Sequence, residues 1–442
     1  MTNDVILKII EGADKIEQKI IAYRRDFHKY PELGWTEYRT SSLIARRLAE
    51  LGYEVKVGVD ILKAEDRMGL PPREILEEAW ERAARQGGDT KYMDVMKNGF
   101  TGAVGIISNG EGPVRAFRFD IDALPIQESQ DEKHRPWKEG FSSVNECIMH
   151  ACGHDCHAAI GLGVAEILMS LKDKIRGTIK LIFQPAEEGV RGAKAMVTKG
   201  LLDDVKAIIG SHVKEYPVGK IASGLSGYKA TTKFDVSIQG KPAHAGGNPQ
   251  DGNNALVAAA TATLNLYAIP RHKDGPTRIN VGKLVAGSGR NIIPDKAHMM
   301  VETRGSTSAL NSYMYEKAIN IIKTSCQMQD CTYEIIPMGE APSGKSDEEM
   351  MKLVEETAKE IGGYDVLDGD ESGGSEDFTY MMAKVQENGG KAVNIGIGAD
   401  KIGGGAHSYD FDINEGALKK AVVLLSALAF KPRGPRGSDL ES

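Results

Sequence analysis

The sequence predicts an α/β protein of two domains, in which a smaller α+β domain interrupts a larger one. In the first half and again near the end of the chain, short apolar segments rich in β-branched residues alternate with amphipathic helical segments. This alternation is typical of a mostly parallel sheet with helices on both faces. Residues 224–337 instead follow the order β-α-β-β-α-β of a ferredoxin-like sandwich. Residues 1–223 and 338–430 are therefore assigned to the larger domain, and 224–337 to the inserted domain.

The larger domain begins with two amphipathic helices at 4–29 and 40–51, the second of which ends at Gly52. A charged, glycine-punctuated insertion follows at 58–99, with one helix near 72–86. We expect this insertion to decorate the surface. Further strands are predicted at 53–57, 103–107, 114–119, 178–184 and 205–210. A further helix is predicted at 158–171.

The inserted domain shows alternating strands around an alanine-rich helix. Its predicted strands are 231–239, 278–284, 297–303 and 332–337, and its helices are 254–269 and 310–327. The chain then returns to the larger domain with a helix, a strand and a helix at 348–361, 391–397 and 412–430. Asp412 and Glu415 form a D-x-x-E pattern that predicts a cap at the start of the last helix. Proline, glycine and charge at 431–442 predict a disordered tail.

Composition and charge exclude several classes of protein. The 442 residues carry a net charge of −7, which argues against nucleic-acid binding. The longest largely apolar run, 421–430, has ten residues, well short of the roughly 20 that cross a bilayer. The N-terminus lacks the features of a signal peptide, and five cysteines, three of them clustered, do not resemble a disulfide framework. We expect a cytoplasmic protein that binds neither membrane nor nucleic acid.

Residues 149–157, M-H-A-C-G-H-D-C-H, concentrate the chemistry of the chain. They include three of its ten histidines and two of its five cysteines. Imidazole, thiolate and carboxylate are ligands of a divalent metal such as zinc or manganese, and Gly153 allows Cys152 and His154 to face one point. Two other interpretations stay open from this stretch alone. The residues could be ordinary core thiols and histidines, or a zinc knuckle, although no CxxC pair is present.

More residues of ligand type follow predicted strands. Glu187 and Glu188 are adjacent in P-A-E-E-G, directly after the strand at 178–184. Adjacent carboxylates repel unless their roles differ, and a metal separates them, because one can bind the ion while the other stays free as a base. A solvated acidic loop is the ordinary alternative. His212 and His407 also follow strands, and the ends of such strands meet at one edge of the sheet.

Six motifs occur in order along the chain: H-A-C-G-H-D-x-H, F-Q-P-A-E-E-G, K-P-A-H-A-G, S-G-R-N-I-I-P, G-S-E-D-F and G-A-H. Together they resemble the aminoacylase and carboxypeptidase-G type metallopeptidase family. The resemblance is to its amidohydrolase branch, which includes hippurate and indole-acetyl-amino-acid hydrolases. It covers residues from about Arg24 to Phe430. It implies a phosphorylase/hydrolase-like catalytic domain with two metal ions and an inserted domain that acts as lid and dimerisation surface.

The resemblance also implies roles for individual residues. Cys152 matches a bridging thiolate. The other metal ligands that the resemblance implies are His154, Glu188, His212 and His407. Glu187 matches the general base that activates water, and His244 matches a histidine that helps to bind the scissile carbonyl.

A substrate pocket is implied as well. Asn291 and Arg304 match groups that hold the free carboxylate of the substrate, and Gly374 and Ser375 match a loop that lines the pocket. Arg290, a further cation beside Asn291, is our candidate for binding a second acidic group of the substrate.

The expected activity is metal-dependent hydrolysis of the amide of an N-acyl amino acid, with p-aminobenzoyl-glutamate as the expected substrate, which would yield p-aminobenzoate and glutamate. An aminoacylase, dipeptidase or hippurate-type hydrolase of the same branch is one alternative. A non-catalytic metal-binding subunit of a heteromeric complex is another, although the intact Glu187 counts against it. The resemblance places manganese first, whereas thiolate and imidazole ligands favour zinc. It also implies a homodimer, or a heterodimer with a paralogous subunit, formed through the inserted domain.

Overall fold

The computed structural model describes residues 3–371 and 373–431. The predicted disordered tail, 431–442, lies outside the described residues except for Lys431. That lysine is 6 % exposed, and its Nζ lies 2.6 Å from Glu360 Oε1, so the prediction of disorder was wrong for this one residue. None of the helices in the described ranges is long and apolar enough to span a membrane.

An eight-stranded mixed sheet lies at the centre of the larger domain. Its strands are β1 (Glu54–Val57), β2 (Ala103–Asn109), β3 (Val114–Asp120), β4 (Gly177–Gln184), β5 (Val205–Lys214), β6 (Lys220–Ala222), β12 (Asp365–Leu367) and β14 (Lys391–Gly398). They lie in the order β1-β2-β4-β3-β5-β14-β6-β12. The central strands β4, β3, β5 and β14 are parallel, so their carboxyl ends open at one edge, as the sequence predicted.

Helices cover both faces of this sheet. One face carries α1 (Asn3–Lys29), α2 (Tyr38–Leu51), α6 (His154–Ser170), α10 (Glu348–Ile361) and α12 (Gly416–Ala429), and the other carries α7 (Ala193–Thr198) and α11 (Phe378–Glu387). Side chains alternate along β3, so Phe117 and Phe119 pack with the first group and Ala116 with the second. The short α5 (Arg135–Lys138) lies in the loop after β3. The sequence did not predict α11.

The start of α12 differs from the prediction. The helix begins at Gly416, and neither Asp412 nor Glu415 caps it with a side-chain hydrogen bond. Arg24 Nη2 instead lies 2.9 Å from Asp412 Oδ1, and Arg25 Nη2 lies 2.7 Å from Glu415 Oε2. The two carboxylates therefore tie α1 to the segment before α12, and the capping prediction was wrong.

The insertion at 58–99 packs against the rest of the larger domain. It contains α3 (Arg73–Arg85) and α4 (Thr90–Met93). Leu76 and Ala79 are buried, whereas Ile75 is 47 % exposed. The insertion therefore contributes to both cores of the larger domain and does more than decorate its surface.

The inserted domain is an antiparallel sheet with helices on one face. Its elements are β8 (Ala230–Gln239), α8 (Ala255–Tyr267), β9 (Thr277–Ala286), β10 (Lys296–Gly305), α9 (Ser308–Gln327) and β11 (Thr332–Ala341). The strand order β11-β8-β10-β9 is that of a ferredoxin-like sandwich, which confirms the predicted fold class. Strand β11 runs four residues past 337, and β7 (Leu225–Ser226) pairs with β13 (Asp370–Glu371) beside the main sheet.

Candidate metal centre

The predicted ligands meet at the carboxyl edge of the central strands. Glu187 and Glu188 lie in the turn after β4, and His154 is the first residue of α6. His212 lies within β5, because the strand continues to Lys214 and does not end at residue 210 as predicted. His407 comes from the loop after β14, where its backbone N–H donates to Ala151 O at 2.7 Å.

Gly153 decides how the 149–157 stretch enters the centre. Its φ of 92° lies in the left-handed region, which favours glycine. A Cβ at this position would lie 2.3 Å from Val213 Cγ2. Glycine therefore lets α6 begin at His154 directly beside β5, with Cys152 just before the glycine.

The structure brings the five predicted ligands into two overlapping groups. Cys152, His154 and His212 offer ligand atoms that all lie within 4.8 Å of one another, and so do Cys152, Glu188 and His407. The Cys152 Sγ lies 3.6 Å from His212 Nε2, and His407 Nε2 lies 3.7 Å from Glu188 Oε1. Cys152 belongs to both groups, which is the placement that a shared ligand of two ions requires.

Hydrogen bonds orient His154 and His212 for binding a metal through Nε2. His154 Nδ1 lies 2.9 Å from Asp122 O, and His212 Nδ1 lies 2.7 Å from Val213 O. Since a carbonyl only accepts, each Nδ1 carries a proton, which leaves Nε2 as the ring atom available to a metal ion. His154 Nε2 and Glu188 Oε1 are buried and have no hydrogen-bond partner within residues 3–371 and 373–431. Such unsatisfied ligand atoms fit a bound cation.

The electrostatics of the centre also favour a cation. Burial raises the pKa of the Cys152 thiol to about 11 and that of Glu188 to about 7. Burial, followed by the nearby carboxylates of Glu376 and Glu188, raises the pKa of Glu187 well above its ordinary value. A divalent cation reverses this effect for its ligands, because it stabilises the thiolate and carboxylate forms. The donor set therefore fits divalent metal ions.

Asp122 supports the centre and was missed from sequence. Its carboxylate accepts the backbone N–H groups of Glu187 at 3.0 Å and Glu188 at 2.9 Å, and its Oδ1 lies 3.3 Å from His154 Nδ1. One buried side chain thus holds the turn of the glutamate pair and a predicted ligand together. The signal was present as D-I-D, two carboxylates at the end of a predicted strand.

A cavity beside the centre is lined by both domains. Its lining residues are Cys152, Glu187, Glu188, Gly189, Val190, His212, Lys214, Leu225, Tyr228, Lys233, Arg304, Ser375, Glu376 and His407. Of the residues predicted to bind substrate, Arg304 and Ser375 lie here, and Arg304 Nη2 is 2.9 Å from Glu302 Oε1. A single cavity therefore joins the candidate metal centre to a cationic surface.

Comparison with known proteins identifies the family. Residues 116–431 match Peptidase family M20/M25/M40. The chain belongs to this family. It is accordingly a metal-dependent hydrolase of amide bonds, as the motifs predicted.

The similarity to individual members of the M20 family extends over nearly the whole sequence. The chain is 42 % identical to a p-aminobenzoyl-glutamate hydrolase subunit of Escherichia coli strain K12, over 96 % of this chain and 98 % of that one. A solved structure of an aminobenzoyl-glutamate utilization protein from Klebsiella pneumoniae is 38 % identical, with a TM-score of 0.82 and coverage of 96 % and 98 %. A Bacillus subtilis protein described as a dinuclear metal-binding peptidase of this family is 26 % identical, with a TM-score of 0.65 and coverage of 94 % and 98 %.

His244 and Asn291 lie together, but not among the residues that line the cavity. The Ala245 N–H donates to Asn291 O at 3.0 Å. His244 is exposed, and its Nδ1 accepts the backbone N–H groups of Gly246 at 3.2 Å and Gly247 at 2.9 Å. With Nδ1 as an acceptor, the ring presents Nε2–H as a donor, and no acceptor for it lies within hydrogen-bonding distance in the part of the chain that the structure describes. Two other predicted residues, Arg290 and Gly374, are also absent from the lining.

His157 and Arg118 also lie at the candidate metal centre. The sequence analysis did not assign either residue to it. His157 Nδ1 is hydrogen-bonded to Asp120, and its Nε2 accepts the Val213 N–H at 3.0 Å. Both ring nitrogens are thus occupied, so this histidine fixes β5 against β3. Arg118 Nη1 lies 2.6 Å from Asp120 Oδ2, and its Nη2 lies 2.9 Å from Glu376 Oε1. The sequence carries no local signal for the pairing of His157 with Asp120 or of Arg118 with Glu376, because these partners lie far apart in the chain.

Proposed function

We propose that this enzyme hydrolyses the amide bond of p-aminobenzoyl-glutamate and releases p-aminobenzoate and glutamate. The observation that carries the proposal is the Glu187–Glu188 pair beside the Cys152-centred groups, in a cavity that also contains Arg304. The similarity to proteins named for aminobenzoyl-glutamate supports the choice of substrate. An aminoacylase, dipeptidase or hippurate-type hydrolase would use the same centre with another substrate.

The two groups that share Cys152 are proposed to hold two divalent ions. The proposed ligands are Cys152, His154, Glu188, His212 and His407. Bound ions would supply Lewis-acid polarisation of the scissile carbonyl and activation of the attacking water. We place manganese first on the resemblance of the motifs and zinc second, because thiolate and imidazole favour zinc by affinity while metal availability also decides occupancy.

Glu187 is proposed as the residue that moves the proton. It is buried beside the centre, with its Oε2 3.9 Å from His154 Nε2. Its raised pKa suits a carboxylate that accepts a proton from water and then donates it to the leaving nitrogen. Glu188 adjoins it and shares a group with it and His154, but lies also in the group with Cys152 and His407, and is assigned to metal binding.

Arg304 is proposed to hold the free carboxylate of the substrate, since a guanidinium can bind a carboxylate through two parallel hydrogen bonds. Ser375 lines the same cavity. Gly374 precedes it, and its carbonyl accepts the Lys229 N–H at 2.9 Å, which holds this loop against the start of the inserted domain. Asn291 remains a proposed carboxylate ligand. Arg290, the candidate from sequence for a second acidic group, is exposed and does not line the cavity, and we do not retain it in that role.

His244 is proposed to act in the site of a partner subunit. Its loop contributes no residue to the cavity of its own chain, while its Nε2–H is free to donate to the oxyanion of the reaction. A two-fold pair formed through the inserted domain, residues 224–337, could place this loop over the neighbouring site. The partner is a second copy or a paralogous chain, and the E. coli relative is itself named as one subunit of a hydrolase. We place the enzyme in the cytoplasm on its cysteine usage.

Product analysis tests the proposed function. The purified protein, loaded with manganese or with zinc, is incubated with p-aminobenzoyl-glutamate, and released p-aminobenzoate is measured. Release is expected, should stop after chelation and should return when metal is added. N-acetyl amino acids, dipeptides and hippurate are measured in parallel. Faster hydrolysis of one of these would replace the proposed substrate, and hydrolysis of none of them would contradict the proposed function.

A further inference from the structure

The cavity contains more cationic side chains than one substrate carboxylate needs. Lys214, Lys233 and Arg304 all line it. Arg304 is paired with Glu302 at 2.9 Å. Within the described ranges 3–371 and 373–431, neither Lys214 nor Lys233 has a carboxylate oxygen within 4.0 Å of its Nζ. These two lysines thus line the cavity without a close ion-pair partner among the described residues, although Glu187, Glu188 and Glu376 also line it. Such unpaired cations are available to an additional anionic group on the ligand.

Lys233 and Arg304 lie on the same face of the inserted sheet. In the pairing of β8 with β10, Lys233 is opposite Glu302 and Arg304 is opposite Thr231. Residues two apart on a strand point to the same side, so these four side chains share the face away from α8 and α9. Lys233 and Arg304 are diagonal neighbours, with Cα atoms roughly 7–8 Å apart in such a pairing. Both long side chains can therefore reach one small molecule.

We propose that Lys233 binds the side-chain carboxylate of an acidic amino acid in the substrate, such as glutamate or aspartate, while Arg304 binds its α-carboxylate. The inference rests on the proposed function and deepens it, because it names N-acyl dicarboxylic amino acids as the substrate class. The two carboxylates of glutamate are separated by a short chain of three carbons, which suits two cations on diagonal positions of adjacent strands.

Neither of the other two candidate cations has this geometry. Lys214 lies on β5, two residues after His212 and on the same side of the strand. It therefore belongs to the main sheet and not to the inserted sheet that carries Arg304. Arg290, the candidate from sequence, is exposed and absent from the lining of the cavity. Lys233 is half-buried on the face that carries Arg304, which makes it the nearer partner for a second carboxylate.

The test compares pairs of substrates that differ only in the charge of the side chain. The metal-loaded enzyme is assayed with the glutamate and glutamine forms of two substrates, one with a p-aminobenzoyl and one with an N-acetyl group. For the wild type, kcat/KM should favour glutamate over glutamine. Lys233→Met should lower kcat/KM for the glutamate forms about 10- to 100-fold and that for the glutamine forms less than about threefold. Lys233→Arg keeps the charge and should keep most of the preference.

Lys214→Met and Arg290→Met are matched comparisons. Each is expected to leave the glutamate-to-glutamine ratio within about threefold of wild type, even where the rates themselves fall. Three results would overturn the inference while leaving the proposed hydrolase activity intact. The wild type could show no preference for glutamate, the preference could survive Lys233→Met, or it could be lost in one of the comparison variants. Failure of the wild type to cleave any of the four substrates would overturn the proposed function, and the inference with it.

Discussion

Replacing Asp122 with asparagine removes one carboxylate that holds several parts of the centre. The wild-type side chain is buried and accepts two backbone N–H groups, from Glu187 and Glu188, at 3.0 and 2.9 Å. These bonds use different oxygens. The asparagine side chain has one oxygen, so its NH₂ group must face one of the two N–H donors. One buried donor is thereby left without an acceptor.

The expected magnitude follows from these contacts. A hydrogen bond to a charged group contributes about 1.5–3 kcal/mol, and an unsatisfied buried donor costs about 1–3 kcal/mol. Asp122→Asn should therefore lower the free energy of unfolding by about 3 kcal/mol. Because the same carboxylate also lies 3.3 Å from His154 Nδ1, the variant should bind metal about 10- to 100-fold more weakly.

Two measurements check this prediction. Metal affinity is measured by competition with a chromophoric chelator, and stability by urea unfolding of the metal-free protein. Asp173→Asn, at an exposed aspartate of the larger domain, is the matched control and should change neither quantity. Wild-type metal affinity in a folded Asp122→Asn variant would refute the role assigned to Asp122, because a purely structural carboxylate would alter stability alone.

Three further predictions concern the substrate, the action of His244 and pH. Arg304→Ala should weaken catalysis on p-aminobenzoyl-glutamate by an amount equivalent to about 2–5 kcal/mol, and the α-amide of this substrate should already be poor with the wild type; equal rates on acid and amide would contradict the role of Arg304. In a homodimer, Glu187→Gln and His244→Ala should each be nearly inactive, whereas random exchange of their subunits should restore about a quarter of wild-type activity; no recovery in mixed dimers verified by mass spectrometry would rule out action of His244 in trans. Burial alone would raise the pKa of Glu128, but hydrogen bonds from two histidine rings outweigh it and lower the pKa to about 2 from 4.5. The stability that Glu128 contributes should therefore be fully present above pH 4.5 and lost as the pH falls towards 2, so urea unfolding of Glu128→Gln should show a smaller loss across this range than the wild type does.

Much of the fold could be predicted because local patterns and tertiary structure agree. The ferredoxin-like order was visible in the strand and helix periods of residues 230–341, and α2 ends at Gly52 in the left-handed conformation that its sequence predicts. The start of α12 was not predictable in this way. Asp412 and Glu415 match a capping pattern, but their partners are arginines almost 400 residues earlier in the chain. The ten-residue α11 was missed because it follows a buried acidic motif without a capping side chain.

In the candidate site, too, some residues could be predicted from local sequence and others could not. Metal ligands are unusual residue types, so Cys152, His154 and the glutamate pair stand out in a single sequence. Their supporting groups are common residue types whose partners lie far along the chain: Asp122 accepts from residues 65 and 66 positions away. Lys233 gave no signal either, because only the pairing of β8 with β10 places it beside Arg304.

The most direct test of the proposed centre is the metal content and turnover of two neighbouring variants. Glu187→Gln should keep the metal of the wild type and lose turnover on the order of 100-fold or more, because it removes the group that moves the proton. Glu188→Gln should lose metal and activity together, because it removes a ligand. Both are measured by metal analysis and by release of p-aminobenzoate from p-aminobenzoyl-glutamate. Loss of metal in Glu187→Gln together with its retention in Glu188→Gln would contradict the assignment of base and ligand.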